Sequence, residues 1–272
     1  MCTSSIYIIS SEGAYVLKEK ITSRENGHVK AYRMIQSSKS SRREAGLFAA
    51  EGVRLCVDFC NSGTILDTLF FTEQGMKKYP DTAILAKKAK HTYEISKELE
   101  TFFSDTKTPQ GVFCLFEVPS DKIFAENISV IILESLSDPG NIGTIIRTAA
   151  SLGIYNVLMT DDCCDIYSPK VLRGCMGAIA CLNIKITSDL LSEIDALKKD
   201  GYTVLASVPN GNKSILDCKY QKTAIIIGNE GSGIKTETIS ASSQTVTIPM
   251  SGHTESLNAA SAAAILMWET IK

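Results

Sequence analysis

The chain has 272 residues, 28 Lys and Arg against 30 Asp and Glu, and 44% hydrophobic residues. That length makes one large domain or two of ordinary size, each able to bury a core without staples. A charged fraction of 21% together with abundant Ile, Leu, Val and Ala is the composition of a globular and not a disordered chain, and a net charge of −2 does not by itself point to nucleic acid. The nine cysteines are an odd number with no CxxC pair, and with only His28, His91 and His253 no zinc set can be assembled. Reduced thiols of a cytoplasmic protein are the expectation. No apolar run approaches the ~20 residues of a membrane helix, and residues 6–9 are too short, and lack the basic flank, for a signal segment. A soluble intracellular protein without metal or membrane partner is expected.

In chain order, residues 1–17 match no element and read as an extension, which could run to residue 20. Residues 28–38 read as a helix, followed by a Ser/Lys/Arg loop through Arg43. A strand at 47–50, a helix at 52–60 and an apolar strand at 65–71 come next. A second unit follows, with a strand at 92–95, a helix at 96–103 and a strand at 112–116. Such alternation marks an α/β domain. Residues 117–122, with Pro119, read as a linker. Beyond it, residues 129–136 form an apolar strand of the parallel-sheet type that turns through 137–140 into a helix at 142–152. Further strands are expected at 156–160, 182–186, 202–206, 224–227 and 244–248. Helices are expected at 169–176, 190–200, 234–241 and 257–271. No repeat or low-complexity tract is present.

Charge is uneven along the chain. Residues 18–54 carry nine basic side chains, Arg24, Lys30, Arg42 and Arg43 among them, against four acids. Residues 119–272 are net acidic. A front part facing a polyanion explains this, and a solvated helix face explains it as well.

Three stretches exceed what folding demands. Asp138-Pro-Gly-Asn141-Ile-Gly143-Thr-Ile-Ile-Arg147 lies where an apolar strand passes to a helix, the place where open α/β sheets bind ligands. Arg147 is set on the first turns of that helix, where a guanidinium pairs with phosphate or is simply solvated. Gly228-Asn-Glu230-Gly231-Ser-Gly233 again follows an apolar strand, and its glycines permit positive φ and close approach to a ligand. It is neither a P-loop nor the dinucleotide fingerprint, and Glu230 disfavours a nucleoside triphosphate. The third stretch is Ile248-Pro-Met250, then Ser256-Leu257-Asn258 and an alanine-rich helix. Ser256 reads as its N-cap and Asn258 as a first-turn residue with an exposed amide. The small side chains of residues 259–264 imply close packing. A weaker stretch, Ser168-Pro-Lys170-Val-Leu-Arg173, starts a helix with two cations, suited to a phosphate or to solvent alike.

In this order and spacing the three stretches resemble the SpoU/TrmH-type RNA 2′-O-ribose methyltransferases of the SPOUT superfamily, from about Ile21 to the end. The core positions match Asn141-x-Gly143-x-x-x-Arg147, Gly228-Asn-Glu-Gly-x-Gly233 and Ile248-Pro-Met250…Ser256-Leu-Asn258 without departure. The front end, with Arg24-x-Asn26, Lys30, Arg42-Arg43, Glu51-Gly52 and Thr108-Pro-Gln-Gly111, is similar to the family's small ribosomal-protein-like α/β RNA-binding domain. That settles the charge question in favour of RNA.

The resemblance implies an α/β fold with a knotted C-terminal domain, residues 119–272, and an RNA-binding domain, residues 1–118. The C-terminal domain would carry a deep trefoil knot around a parallel sheet and bind S-adenosylmethionine. It also implies a homodimer through that domain. Transfer to a ribose 2′-hydroxyl needs two positioned ligands and the loss of one proton, and no metal. Cofactor binding is assigned to Ala206, Ser207, Ile227, Gly228, Gly231, Ile248, Met250, Ser256 and Leu257. Asn141, Arg147, Glu230, Ser256 and Asn258 are assigned to the reacting centre. Arg24, Lys30, Arg42, Arg43, Lys170 and Arg173 are assigned to RNA. Arg147 is a poor general base and reads first as a clamp on the target phosphate. Large-subunit ribosomal RNA is preferred as substrate. The rival readings are 2′-O- or base methylation of transfer RNA, a non-catalytic RNA-binding or ribosome-assembly protein, and a small-molecule methyltransferase, which would not need the basic front.

Overall fold

A computed structural model describes residues 7–10 and 13–16 as backbone, and residues 20–120, 124–126, 128–218, 222–252 and 256–271 in full. Parts of the expected extension, residues 121–122 of the expected linker and residues 253–255 of the third motif lie outside the described residues. The chain divides into two compact units, Met1–Pro119 with Tyr167–Pro169, and Ser120–Ile166 with Lys170–Lys272.

The first unit runs β1 (Tyr7–Ser10), β2 (Gly13–Val16), β3 (Lys20–Ile21), α1 (Gly27–Ser37), α2 (Lys39–Ala45), β4 (Leu47–Glu51), α3 (Val53–Asn61), β5 (Leu66–Phe71), α4 (Glu73–Lys78), α5 (Asp81–Lys88), β6 (His91–Ile95), α6 (Lys97–Phe103) and β7 (Val112–Glu117). Strands β1 and β2 pair as an antiparallel ribbon where no element was expected. The other strands form a mixed sheet in the order β3-β6-β5-β7-β4. Val29, Tyr32 and Ile35 of α1 bury one face of that helix against Phe70, Phe103 and Phe113. Tyr32 stacks on Phe103 with centroids 4.2 Å apart and meets Phe70 and Phe113 edge-on. Helix α2 replaces the loop expected through Arg43. Ser38 caps its N-terminus by accepting from Ser41 N, and Gly46 ends it at φ +64°, a conformation glycine adopts without strain.

The second unit runs β8 (Val130–Leu133), α7 (Pro139–Ser151), β9 (Asn156–Thr160), α8 (Pro169–Cys175), β10 (Asn183–Thr187), α9 (Leu190–Lys199), β11 (Thr203–Ser207), β12 (Lys213–Ser214), β13 (Thr223–Ile227), α10 (Thr236–Ala241), β14 (Gln244–Thr247) and α11 (Ala259–Thr270). All its strand pairings are parallel, in the order β10-β9-β8-β13-β11-β14-β12. Val130, Ile132, Val204, Ala206, Ala224 and Ile226 form a core with Leu190, Ile194 and Leu197 of α9. The alternate residues Ile131, Leu205 and Ile225 are equally buried and point to the other face, as the period of a strand requires. Strand β8 is shorter than expected. It ends at Leu133, and Glu134 behind it is buried, its carboxylate accepting from Lys235 N at 3.0 Å and Thr238 Oγ1 at 2.6 Å. The charge is thus held by hydrogen bonds that fix the entry to α10.

Gly143 shows why its motif has a glycine there. A β-carbon on it would lie 3.0 Å from Gly174 Cα and 3.2 Å from the Val171 carbonyl, so α7 and α8 cross backbone to backbone. Among the described residues no helix is long and apolar enough to cross a membrane, and no group of acids, cysteines and histidines gathers as a metal site. The described cysteines are all free thiols.

Candidate active site

Strands β8 and β13 are neighbours in register, Leu133 opposite Ile227, so the loops leaving their carboxyl ends emerge side by side. The chain continues from β8 through α7 to β9 on one flank, and from β13 through α10 to β14 on the other. This divergence opens the crevice in which doubly wound sheets bind ligands.

Helix α7 starts at Pro139, earlier than expected, because Asp138 caps it by accepting from Asn141 N at 2.8 Å and proline suits the first helical position. The cap sets Asn141 in the first turn, nine-tenths buried and facing the loop after β13. In that loop Asn229 and Gly233 bond each other's backbone, and Asn229 Oδ1 accepts from Gly231 N and Ser232 N. A β-carbon on Gly228 would come within 2.4 Å of the Gly233 carbonyl carbon, so the loop closes only over a glycine. Close approach rather than backbone angle is what Gly228 supplies. Of the loop's three glycines only Gly233 has positive φ, +72°.

The closed loop aims Glu230 at the start of α7. Its carboxylate accepts from Ser137 N, Ser137 Oγ, Asp138 N and Asn141 Nδ2, the last at 2.9 Å. Asn141 Oδ1 in turn accepts from Asn258 Nδ2 at 2.9 Å, and Asn258 Oδ1 accepts from Ala260 N and Ser261 N. One residue from each of the three motifs therefore forms a single relay. Asn258, not Ser256, is the N-cap of α11. Partial burial would push the Glu230 carboxyl up, but the Asn141 amide and the backbone N–H groups of Glu230, Ser137 and Asp138 prevail and lower it from its ordinary 4.5 to about 2.

Beside the relay lies a cleft of about 390 Å³, in the size range of small-molecule sites. Of the residues expected at a cofactor, Ser207, Ile227, Gly228, Gly231, Ile248, Met250, Ser256 and Leu257 line it. Ala206 does not. It is fully buried within β11, and the adjacent Ser207 reaches the mouth instead. Val208, Pro209, Asn229 and Thr247 also line the cleft and were missed; their common signal is position just past or at a strand end. Among the described residues Glu230 is the only charged side chain of the lining.

The remaining expected residues lie apart. Arg147 is on the third turn of α7, later than expected, exposed in a polar stripe with Thr144 and Ser151 and outside the cleft lining. Lys170 and Arg173 are exposed on α8. In the first unit Arg24, Lys30 and Arg43 are exposed, and Lys30 pairs with Glu25. Arg42 departs from its expected role. Because residues 39–45 are helical, its side chain turns inward, is buried, and donates to the carbonyls of Ile35 and Gln36 at the end of α1.

Fold and site together define a two-unit α/β protein with a ligand cleft at the carboxyl edge of a parallel sheet. Residues 129–268 match the SpoU rRNA methylase family, and residues 26–114 match the MRM3-like substrate-binding domain. The chain belongs to the SpoU rRNA methylase family. It is 31% identical to an uncharacterized tRNA/rRNA methyltransferase of Synechocystis sp., over 92% of each chain. It is 29% identical to the Bacillus subtilis 23S rRNA (guanosine(2553)-2′-O)-methyltransferase RlmP, over 92% of this chain and 98% of that one. The AdoMet-bound rRNA methyltransferase of Sinorhizobium meliloti superposes with a TM-score of 0.82 at 26% identity, covering 92% of this chain and 96% of its own.

The Glu230 carboxyl ties stability to pH. Its lowered value stabilises the fold above about pH 4.5, and that contribution is lost as pH falls toward 2. Urea titrations from neutral pH downward should show a fall in this window that is shallower in Glu230→Gln, a variant already less stable at neutrality. An unchanged slope would contradict the relay.

Proposed function

We propose that the chain transfers a methyl group from S-adenosylmethionine to a ribose 2′-hydroxyl of RNA, with large-subunit ribosomal RNA as substrate. The observation that carries this is the Glu230–Asn141–Asn258 relay, which joins all three motifs at the edge of the cleft. The names of RlmP and the Sinorhizobium enzyme support the substrate and the cofactor. In this reading the second unit is the methyltransferase domain with the trefoil knot, and the first holds RNA in the cytoplasm.

The cleft suits this cofactor by its own chemistry. Ile227, Ile248, Met250 and Leu257 offer apolar surface to an adenosine, and the described lining has no Lys, Arg or His that would favour a polyphosphate. The carboxylate of Glu230 is compatible with a sulfonium. When bound, S-adenosylmethionine supplies a methyl group on a cationic sulfur that leaves as a neutral thioether. The ribose 2′-hydroxyl would accept that methyl group on its oxygen and give up its proton to solvent. The chain's residues position the partners: the relay fixes the loops, and Ser256 and Asn258 bound the mouth of the cleft.

Arg147 is read as a clamp on the phosphate beside the target ribose, favouring the developing alkoxide electrostatically. Its exposure argues against the desolvation that a proton-accepting guanidinium would need. The exposed cations Arg24, Lys30, Arg43, Lys170 and Arg173 are assigned to RNA. Arg42 is left out because it is committed internally.

Homodimerisation belongs to the same proposal. Helix α11 is largely apolar around its circumference, and Ile265 and Trp268 on it and Ile271 just past its end remain 38%, 52% and 43% exposed. Such a helix expects a further partner, and a second copy would cover it. The wild type should sediment as a dimer and Trp268→Glu as a monomer; a monomeric wild type would contradict this assignment. Arg147→Ala should lose roughly a hundredfold or more in methyl transfer to unmodified ribosomal RNA. Its cofactor affinity, read by calorimetry, should stay near wild type. Equal loss of both would remove Arg147 from the RNA-clamping role.

A further inference from the structure

We propose that Phe102, flanked by Arg24 and Arg33, is a stacking platform for an unpaired nucleotide of the RNA substrate. The inference rests on the reading that the chain acts on RNA, and it names a feature of that RNA: a loop or bulge whose base is free to stack.

The Arg24 guanidinium lies 4.7 Å from the centre of the Phe102 ring, and that of Arg33 lies 5.1 Å from it. Phe102, at the end of α6, is only partly buried. It packs against the same core as Val29, Tyr32 and Phe103, so the ring is held in place while part of it stays accessible. Arg33 is steadied by Gln36, whose amide donates to the Phe103 carbonyl, and by Asp105 at 3.8 Å. Asp105 is the one carboxylate that pairs with either guanidinium among the ion pairs of the described residues. Two guanidiniums drawn to one ring against the one carboxylate that pairs with them among the described residues leave an excess of positive charge beside an aromatic ring held by the core.

Three chemistries meet there. The ring and the guanidinium planes accept a base by stacking, the charge attracts the adjoining phosphate, and the rigid setting lowers the ordering cost. A second aromatic and polar pair rests on the same core through Tyr93. His28, exposed at the start of α1, lies 4.5 Å centroid to centroid from Tyr93, with 3.1 Å between His28 Nε2 and the Tyr93 hydroxyl oxygen. Tyr93 packs partly buried against the core that holds Phe102. A duplex presents no free base face to such a platform, whereas an unstacked loop nucleotide does.

The test uses the full chain, a stem-loop RNA carrying 2-aminopurine in the loop, and a blunt RNA duplex of equal length. Binding is read by anisotropy and stacking by 2-aminopurine quenching. The wild type should prefer the stem-loop and quench the probe. Arg24→Lys keeps the charge on an exposed residue but removes the plane. Phe102→Leu keeps apolar packing but removes the ring. Each should weaken stem-loop binding roughly tenfold, diminish quenching and leave duplex binding nearly unchanged. Wild-type quenching and affinity in both variants, or equal losses on both RNAs, would overturn the platform. If the wild type still transfers methyl groups to RNA, that failure touches the platform alone. A wild type that neither binds the stem-loop nor transfers methyl groups to ribosomal RNA would overturn the platform and the proposed function together.

Discussion

The side-chain amide of Asn141 can satisfy both of its ends in only one way. Glu230, with its carboxyl held near 2, is ionised and can only accept, so the Asn141 nitrogen must face it. The Asn141 oxygen is then left for Asn258, whose nitrogen must donate, and the Asn258 oxygen is left for the first N–H groups of α11. The relay thus has a single polarity from Glu230 to the start of α11. Losing either neighbour leaves the buried Asn141 amide short of a partner at a cost of about 1–3 kcal/mol, whereas Glu230 and Asn258, both exposed, can turn to water. The three motifs, joined by hydrogen bonds that span 89 and 117 positions of the chain, form one site because of this directional constraint.

The sheet brings the ends of the relay within reach. Parallel strands deliver their carboxyl ends to one edge, and the neighbouring pair β8 and β13 sets the first two loops side by side. The third motif follows β14, separated from β13 by β11. The intervening strand leaves the width of the cleft, with Ser207 at its mouth and Ile227 and Ile248 in its walls. Glycines in two of the motifs permit close backbone approaches, Gly143 against α8 and Gly228 across its own loop. Packing and chemistry meet in the same short motifs, so their residue types are narrowly constrained.

Much of this was legible in the sequence. The apolar strands β8, β9, β11 and β13 announce themselves through their Ile, Val and Leu content, and the motifs directly after β8 and β13 mark the site. The departures have local causes. Helices α4 and α5 went unread because each is short, and α4 sets Gly75 against the backbone of Gln110 and Gly111 only once β7 is in place; a β-carbon there would lie 2.6 Å from the Gly111 carbonyl oxygen. Ser256 and Asn258 are both good cap types, and the choice between them falls to a tertiary partner, Asn141, that no local pattern contains. Arg42 counted as a basic surface residue until α2 formed and turned it onto the carbonyls of α1. Ala206 and Ser207 differ by one step along a strand, which sends one side chain to the core and sets the other at the rim.

The central claim is that this relay organises a site for methyl transfer to a ribose oxygen. Its most direct test is incubation of the chain with labelled S-adenosylmethionine and unmodified ribosomal RNA, followed by digestion to nucleosides and mass spectrometry. The account predicts a nucleoside whose added methyl fragments with the ribose. A methyl retained on the base, or no transfer to ribosomal RNA despite cofactor binding, would contradict it.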